Sequence, residues 1–75
     1  MNAIYRTLQL TRVENTEHTY DVECNWRGTG WVWLSRVVHH ASTVTVTRGA
    51  LASREQLAIQ ERLKQAHGRV CTVTL

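Results

Sequence analysis

The chain has 75 residues, 43% of them hydrophobic, and a net charge of +3 at neutral pH. This length has room for one modest core, so we expect a single domain over residues 1–75, and the composition excludes disordered and collagen-like classes. The longest apolar stretch, Trp31 to Leu34, is far shorter than the roughly 18 residues that a membrane span needs.

Two strands are predicted in the first third of the chain. Over residues 4–13, leucine and isoleucine alternate with threonine and glutamine, with Arg6 as an exception. After a polar loop at residues 14–17, residues 20–26 alternate between apolar and polar types without exception, which is the clearest strand pattern in the chain. Two glycines within residues 27–30 then suit a hairpin loop.

The middle of the chain predicts two further strands. Residues 31–39 are apolar on both faces and rich in aromatic and β-branched types, which favours a central strand. The alternative is a helix with Trp31, Leu34, Val38 and Ala41 on one side. Residues 42–47 alternate threonine with valine, which predicts a strand with one hydroxyl face and one apolar face.

One helix and one strand complete the predicted order. Ser53 precedes Gln56 by three residues, a capping-box pattern that predicts a helix from residue 53 to about residue 67, with Ile59 and Leu63 on its apolar stripe. Residues 71–75 alternate again. The order ββββαβ predicts an α+β fold, a mostly antiparallel sheet of four to five strands with one helix packed on one face.

The three tryptophans allow two interpretations. Trp31 and Trp33 share one strand face, and Trp26 lies across the predicted hairpin. Because the chain has no phenylalanine, at least two of the indoles are expected to supply bulk to the core. Alternatively they form an exposed aromatic platform flanked by Arg27 and Arg36, which would stack bases or anchor a protein interface.

The histidines and cysteines do not predict a metal site. Cys24, His39, His40 and Cys71 are suitable ligand types, but no Cys-x-x-Cys pair exists and adjacent histidines on a strand point to opposite faces. We therefore expect no metal or other cofactor, two thiols that are both free and buried, and two partly exposed histidines near a strand end.

The charged residues are unevenly distributed. Four acids lie within residues 14–23, whereas residues 24–54 contain four arginines and no acid. Eight of the nine basic residues are arginine, the cation suited to interfaces and to phosphate recognition. A basic middle segment is compatible with nucleic-acid binding, although no helix-turn-helix and no RNA-recognition signature accompanies it.

These observations favour a binding protein over an enzyme. No nucleophile elbow or phosphate loop is present, and a domain this small leaves little room for a deep catalytic pocket. We expect a small, cytoplasmic, non-catalytic regulator or inhibitor that occupies a surface of a protein partner, with no membrane partner. The alternative is a nucleic-acid-binding protein that uses the same segment, and homodimerisation through an exposed edge strand is compatible with either. The candidate binding residues are Arg27, Trp31, Trp33, Arg36, His39, His40 and Arg48.

Overall fold

Five strands and one helix follow one another in the predicted order, ββββαβ. The computed structural model describes residues 7–25, 30–66 and 71–74, and for residues 66 and 71–74 the backbone alone. The elements are β1 Thr7–Arg12, β2 Thr19–Asn25, β3 Trp31–His40, β4 Thr43–Gly49, α1 Ser53–Ala66 and β5 Cys71–Thr74. No helix in this part of the chain has the length and apolar character needed to cross a membrane.

The strands form one antiparallel sheet in the order β4-β3-β2-β1-β5. Residues 31–40 form an interior strand of this sheet, so the predicted strand is confirmed and the helical alternative is wrong. A two-residue turn, Ala41 and Ser42, joins β3 to β4, and both residues have positive φ angles, as the tight hairpin turns that match strand twist require. The sheet edges are β4 and β5.

One face of the sheet carries the core. On β2, Tyr20, Val22 and Cys24 are buried, and the residues between them are only half-buried. Ile59 and Leu63 of α1 pack onto this side, as the helical stripe predicts. Each fully buried aliphatic side chain contributes about 1.5–3 kcal/mol. The fold is therefore α+β, with one helix covering one face of the sheet, as predicted.

The start of α1 differs from the predicted capping box. The Glu55 carboxylate accepts a hydrogen bond from the Ala52 N–H at 3.0 Å, and the Gln56 N–H donates to the Ala52 carbonyl. Ala52 therefore occupies the cap position, and the prediction that Ser53 and Gln56 form a reciprocal pair is wrong. Only the half of a capping box in which an acid reaches back to the cap residue is present.

Gln56 instead forms a hydrogen bond with the edge strand β4. Its side-chain amide donates to the Val44 carbonyl at 2.6 Å, and the Gln60 side-chain carbonyl accepts from the Val44 N–H at 2.9 Å. These two bonds satisfy both backbone groups of one residue on an edge strand, where such groups otherwise offer a template for pairing with another chain.

Strand β3 contains a bulge at Leu34. Val22 of β2 pairs with Ser35 and the next residue, Glu23, pairs with Trp33, so Leu34 has no partner on β2. Gly49 packs against the bulge with a φ of 74°, and a Cβ there would overlap the Leu34 carbonyl oxygen. The bulge changes which residues of β3 share a face, because one extra residue shifts the alternation.

The two cysteines lie in strands separated by β1. Cys24 on β2 is a buried free thiol, as predicted, and Cys71 is on β5. Strands two positions apart are about 9–10 Å from each other. This separation exceeds the limit of about 7 Å between the Cα atoms of a disulfide, so the two cysteines do not pair.

Candidate functional site

The face of the sheet opposite α1 is the candidate site. Cross-strand partners share a face, and the register places Trp31 beside Asn25, Trp33 beside Glu23 and Arg36 beside Asp21. We call this surface the open face, and its residues are Thr7, Gln9, Thr11, Thr19, Asp21, Glu23, Asn25, Trp31, Trp33, Arg36, Val38, His40, Thr43, Thr45 and Arg48.

The bulge in β3 brings tryptophan and arginine to the same side. In a regular strand, Trp33 and Arg36 are three positions apart and therefore point to opposite faces. The unpaired Leu34 adds one residue between them, so both side chains project from the open face. The predicted association of Arg36 with the tryptophans depends on this irregularity.

Both tryptophans on the open face are accessible to solvent. Trp31 has 44% of its surface exposed and Trp33 has 46%. The expectation that at least two of the three indoles supply the core is therefore wrong, and the exposed platform is the correct alternative for this pair. The core is filled instead by aliphatic side chains and Tyr20. Trp26 lies outside the described residues.

Asp21 holds Trp33 and Arg36 together. The indole Nε1 of Trp33 donates to Asp21 Oδ1 at 3.1 Å. Arg36 Nε donates to the same oxygen at 2.9 Å, and Arg36 Nη2 donates to Oδ2 at 3.2 Å. This two-point contact is the strong arrangement of a guanidinium with a carboxylate. It fixes one tryptophan in orientation without burying it.

The pKa values of the pair follow from this geometry. The hydrogen bond from Arg36 lowers the pKa of Asp21, with a smaller contribution from the Trp33 indole, against the opposing effect of partial burial. The same bond raises the pKa of Arg36. Both groups are therefore charged at neutral pH and neutralise each other.

The open face is not a basic surface. Antiparallel pairing places β2, with Asp21 and Glu23, directly beside β3. Arg48 lies next to Arg36 on β4, and its charge also contributes to lowering the Asp21 pKa. Asp21 and Glu23 from the acidic segment and Arg36 and Arg48 from the basic segment, which are separate in the sequence, thus mix on one surface.

The predicted histidine pair is divided between the two faces. His40 is exposed on the open face at the end of β3, and its ring meets that of His18 edge to face at 6.5 Å between centroids. His39 is half-buried on the α1 side, beside Val44. His39 therefore does not belong to the open face, because adjacent residues of a strand alternate in direction. Arg27 lies outside the described residues.

Asp21 and Glu23 are site residues that were missing from the sequence-based set. The signal for them was the regular alternation of β2, which predicts that residues 21, 23 and 25 share one face. What the pattern lacked was the register of β2 with β3, which the bulge shifts. Within residues 7–25, 30–66 and 71–74, no three metal-binding side chains are grouped so as to hold an ion.

Comparisons with protein-family models, with curated proteins and with solved structures found no match for this chain.

Proposed function

We propose that this protein is a small non-catalytic binding protein that occupies a surface of a protein partner, as a regulator or inhibitor, through its open face. The observation that carries the proposal is the pair of half-exposed indoles, Trp31 and Trp33, on a sheet face that α1 does not cover. Tryptophan and arginine are the residue types that contribute most to protein interfaces.

The orientation of Trp33 supports this function. The hydrogen bond to Asp21 and the two bonds from Arg36 restrict the side chains before any partner binds. A side chain that is already ordered loses less conformational entropy on association, which raises affinity. The threonines elsewhere on the open face carry methyl and hydroxyl groups and suit the polar rim of an interface.

The charge of the open face favours protein over nucleic acid. Arg36 is neutralised by Asp21, and Glu23 stands beside Trp33. A phosphate backbone that approached the tryptophans would meet these carboxylates, and phosphate contacts supply most of the affinity for nucleic acid. A partner whose surface is apolar, with both signs of charge at its border, fits this surface better than a polyanion.

The test is partner capture with wild-type protein and with the double variant Trp31→Ala/Trp33→Ala. Leu57→Ala is the matched control, because Leu57 is also a large exposed apolar residue, at 59%, but belongs to α1. Captured proteins are identified by mass spectrometry, purified and titrated calorimetrically. We expect the double variant to lose at least about 2 kcal/mol of binding free energy, the range of interface hot spots, and Leu57→Ala to bind as wild type.

A parallel titration with a single-stranded oligonucleotide distinguishes the alternative. Indole fluorescence that responds to the oligonucleotide, and an affinity that falls steeply and log-linearly with salt, would assign the tryptophans to nucleic acid. Equal loss of partner binding in Leu57→Ala and in the double variant would contradict the proposed location of the interface.

A further inference from the structure

The first three residues of β3 form a short edge of the sheet that no described strand covers. Among the described residues, β4 pairs with β3 over residues 35–40 alone, so the segment Trp31–Trp33 extends past the end of β4. All three side chains of this segment are exposed, Val32 at 61%. An exposed apolar strand edge is a template for pairing with another chain.

The backbone groups of both tryptophans point toward this free edge. The His39 N–H donates to the His18 carbonyl at 2.8 Å, so every second residue from His18 onward directs its backbone groups at β3. The bulge lies in β3, so this alternation along β2 is unbroken. Trp31 and Trp33 pair with the intervening residues of β2, and their own N–H and C=O groups therefore point away from β2. No strand among the described residues lies on that side to bond them.

The segment Trp31–Trp33 is complementary to a second copy of itself. Its sequence, Trp-Val-Trp, is the same in both directions. In an antiparallel pair of two copies, Trp31 of each copy lies opposite Trp33 of the other, and Val32 lies opposite Val32. The segment carries no charge, so the net charge of +3 on the chain places no like charges directly opposite each other across this contact.

We propose that two copies of this chain pair antiparallel along Trp31–Trp33, about a two-fold axis at Val32, and so join their sheets into one. Each tryptophan then lies in a hydrogen-bonded pair, which requires outward backbone groups on both strands, as β3 has. The axis is perpendicular to the sheet, so the open faces of both copies lie on the same side. Aromatic cross-strand pairs stabilise such a contact, and an isologous contact closes after two copies.

The test places charges on the two-fold axis. Val32 is exposed and points to the α1 side beside Cys24, so Val32→Lys and Val32→Glu leave the tryptophans in place. Sedimentation equilibrium from about 10 μM to about 1 mM measures association, because a contact of three residues per strand gives a weak dimer. Each variant should associate at least about tenfold more weakly than wild type, since like charges directly opposite each other destabilise a cross-strand pair.

An equimolar mixture of Val32→Lys and Val32→Glu should recover association as a mixed dimer, because opposite charges then face each other across the axis. Leu57→Lys is the matched control, since Leu57 is an equally exposed apolar residue on α1 and should associate as wild type. Far-UV circular dichroism verifies that every variant is folded. The proposal is overturned if wild type is monomeric over the whole range, or if the mixture associates no better than its components.

This inference and the proposed function fail separately. A wild-type chain that is monomeric and still binds its captured partner contradicts the dimer alone. A wild-type chain that associates, with partner capture unaffected by Trp31→Ala/Trp33→Ala, supports the dimer and contradicts the proposed function alone.

Discussion

The two faces of the sheet are formed by the same alternating strands, but one face is buried and the other is in contact with solvent. On the α1 side, Leu8, Leu10 and Val22 are fully buried beneath Ile59 and Leu63. On the open face, threonines, two tryptophans and an ion pair stay in contact with solvent. One helix covers one face, so the buried aliphatic positions of β1 and β2 converge on that side.

The comparison shows how the proposed binding surface differs from the core. Aliphatic residues on the α1 side contribute to stability through burial, with magnitudes that follow their size. The open face instead concentrates large aromatic side chains where nothing among the described residues covers them, and fixes one of them by hydrogen bonds. The residues that carry folding and those that carry the proposed binding thus lie back to back on the same strands.

The largest expected effect comes from two neighbouring residues of β1 that point to opposite faces. Leu10→Ala should lower the free energy of unfolding by about 2–5 kcal/mol, because it leaves a cavity in the core. Thr11→Ala, on the open face, should lower it by less than about 1 kcal/mol. Urea denaturation followed by far-UV circular dichroism measures both values. Similar losses in the two variants would mean that the open face is also packed in solution.

The fold could be largely predicted from the sequence because its signals are local. Alternation in residues 20–26 and 42–47 specified strands, and the 3.6-residue stripe with Ile59 and Leu63 specified a helix and its buried side. The bulge at Leu34 was not predicted, since residues 31–39 are apolar on both faces and give no alternation that a bulge would interrupt. The helix begins at Ser53 as predicted, but its cap differs, because the Glu55 carboxylate accepts a hydrogen bond from the Ala52 N–H.

The candidate site was predicted only in part because its contacts are not local. Trp31, Trp33, Arg36 and Arg48 do share a surface. The contact of Asp21 with Arg36 joins residues 15 positions apart and depends on the register of two strands. Composition also led to the wrong prediction that tryptophans fill the core, because a chain without phenylalanine still had enough leucine, isoleucine and valine to fill a small core.

A smaller effect is expected from the bonds that tie α1 to the outer strand. Gln60→Ala removes the acceptor for the Val44 N–H and should lower stability by about 1–2 kcal/mol. The Val44 amide should also exchange with deuterium faster than in wild type, which NMR detects residue by residue. Such a change would show that α1 stabilises an edge of the sheet as well as one of its faces.

Gln65→Ala is the control for this change, because Gln65 is an exposed residue of the same helix and has the same helix propensity. It should leave both stability and Val44 exchange unchanged. Equal acceleration at Val44 in the two variants would indicate general fraying of α1 rather than loss of a specific bond.

The smallest effect is expected for the ion pair on the open face. Because the folded-state pKa of Asp21 is lowered below its ordinary value near 3.8, its contribution is present above that pH and is lost as the pH falls through the lowered value. Both side chains are about a third exposed, so solvent screening keeps the contribution below about 1 kcal/mol. Asp21→Asn should therefore be slightly less stable than wild type at pH 7, and the difference should shrink below about pH 4.

Glu23→Gln provides the comparison on the same strand and face, since Glu23 has no ion pair among the described residues. Unfolding curves from pH 7 to pH 3 at low and high salt measure both variants. A salt-sensitive, acid-sensitive loss in Asp21→Asn alone places the electrostatic contribution in the contact with Arg36. Parallel curves for the two variants would instead mean that the contact orients Trp33 without stabilising the fold, and its effect would then be sought in partner affinity.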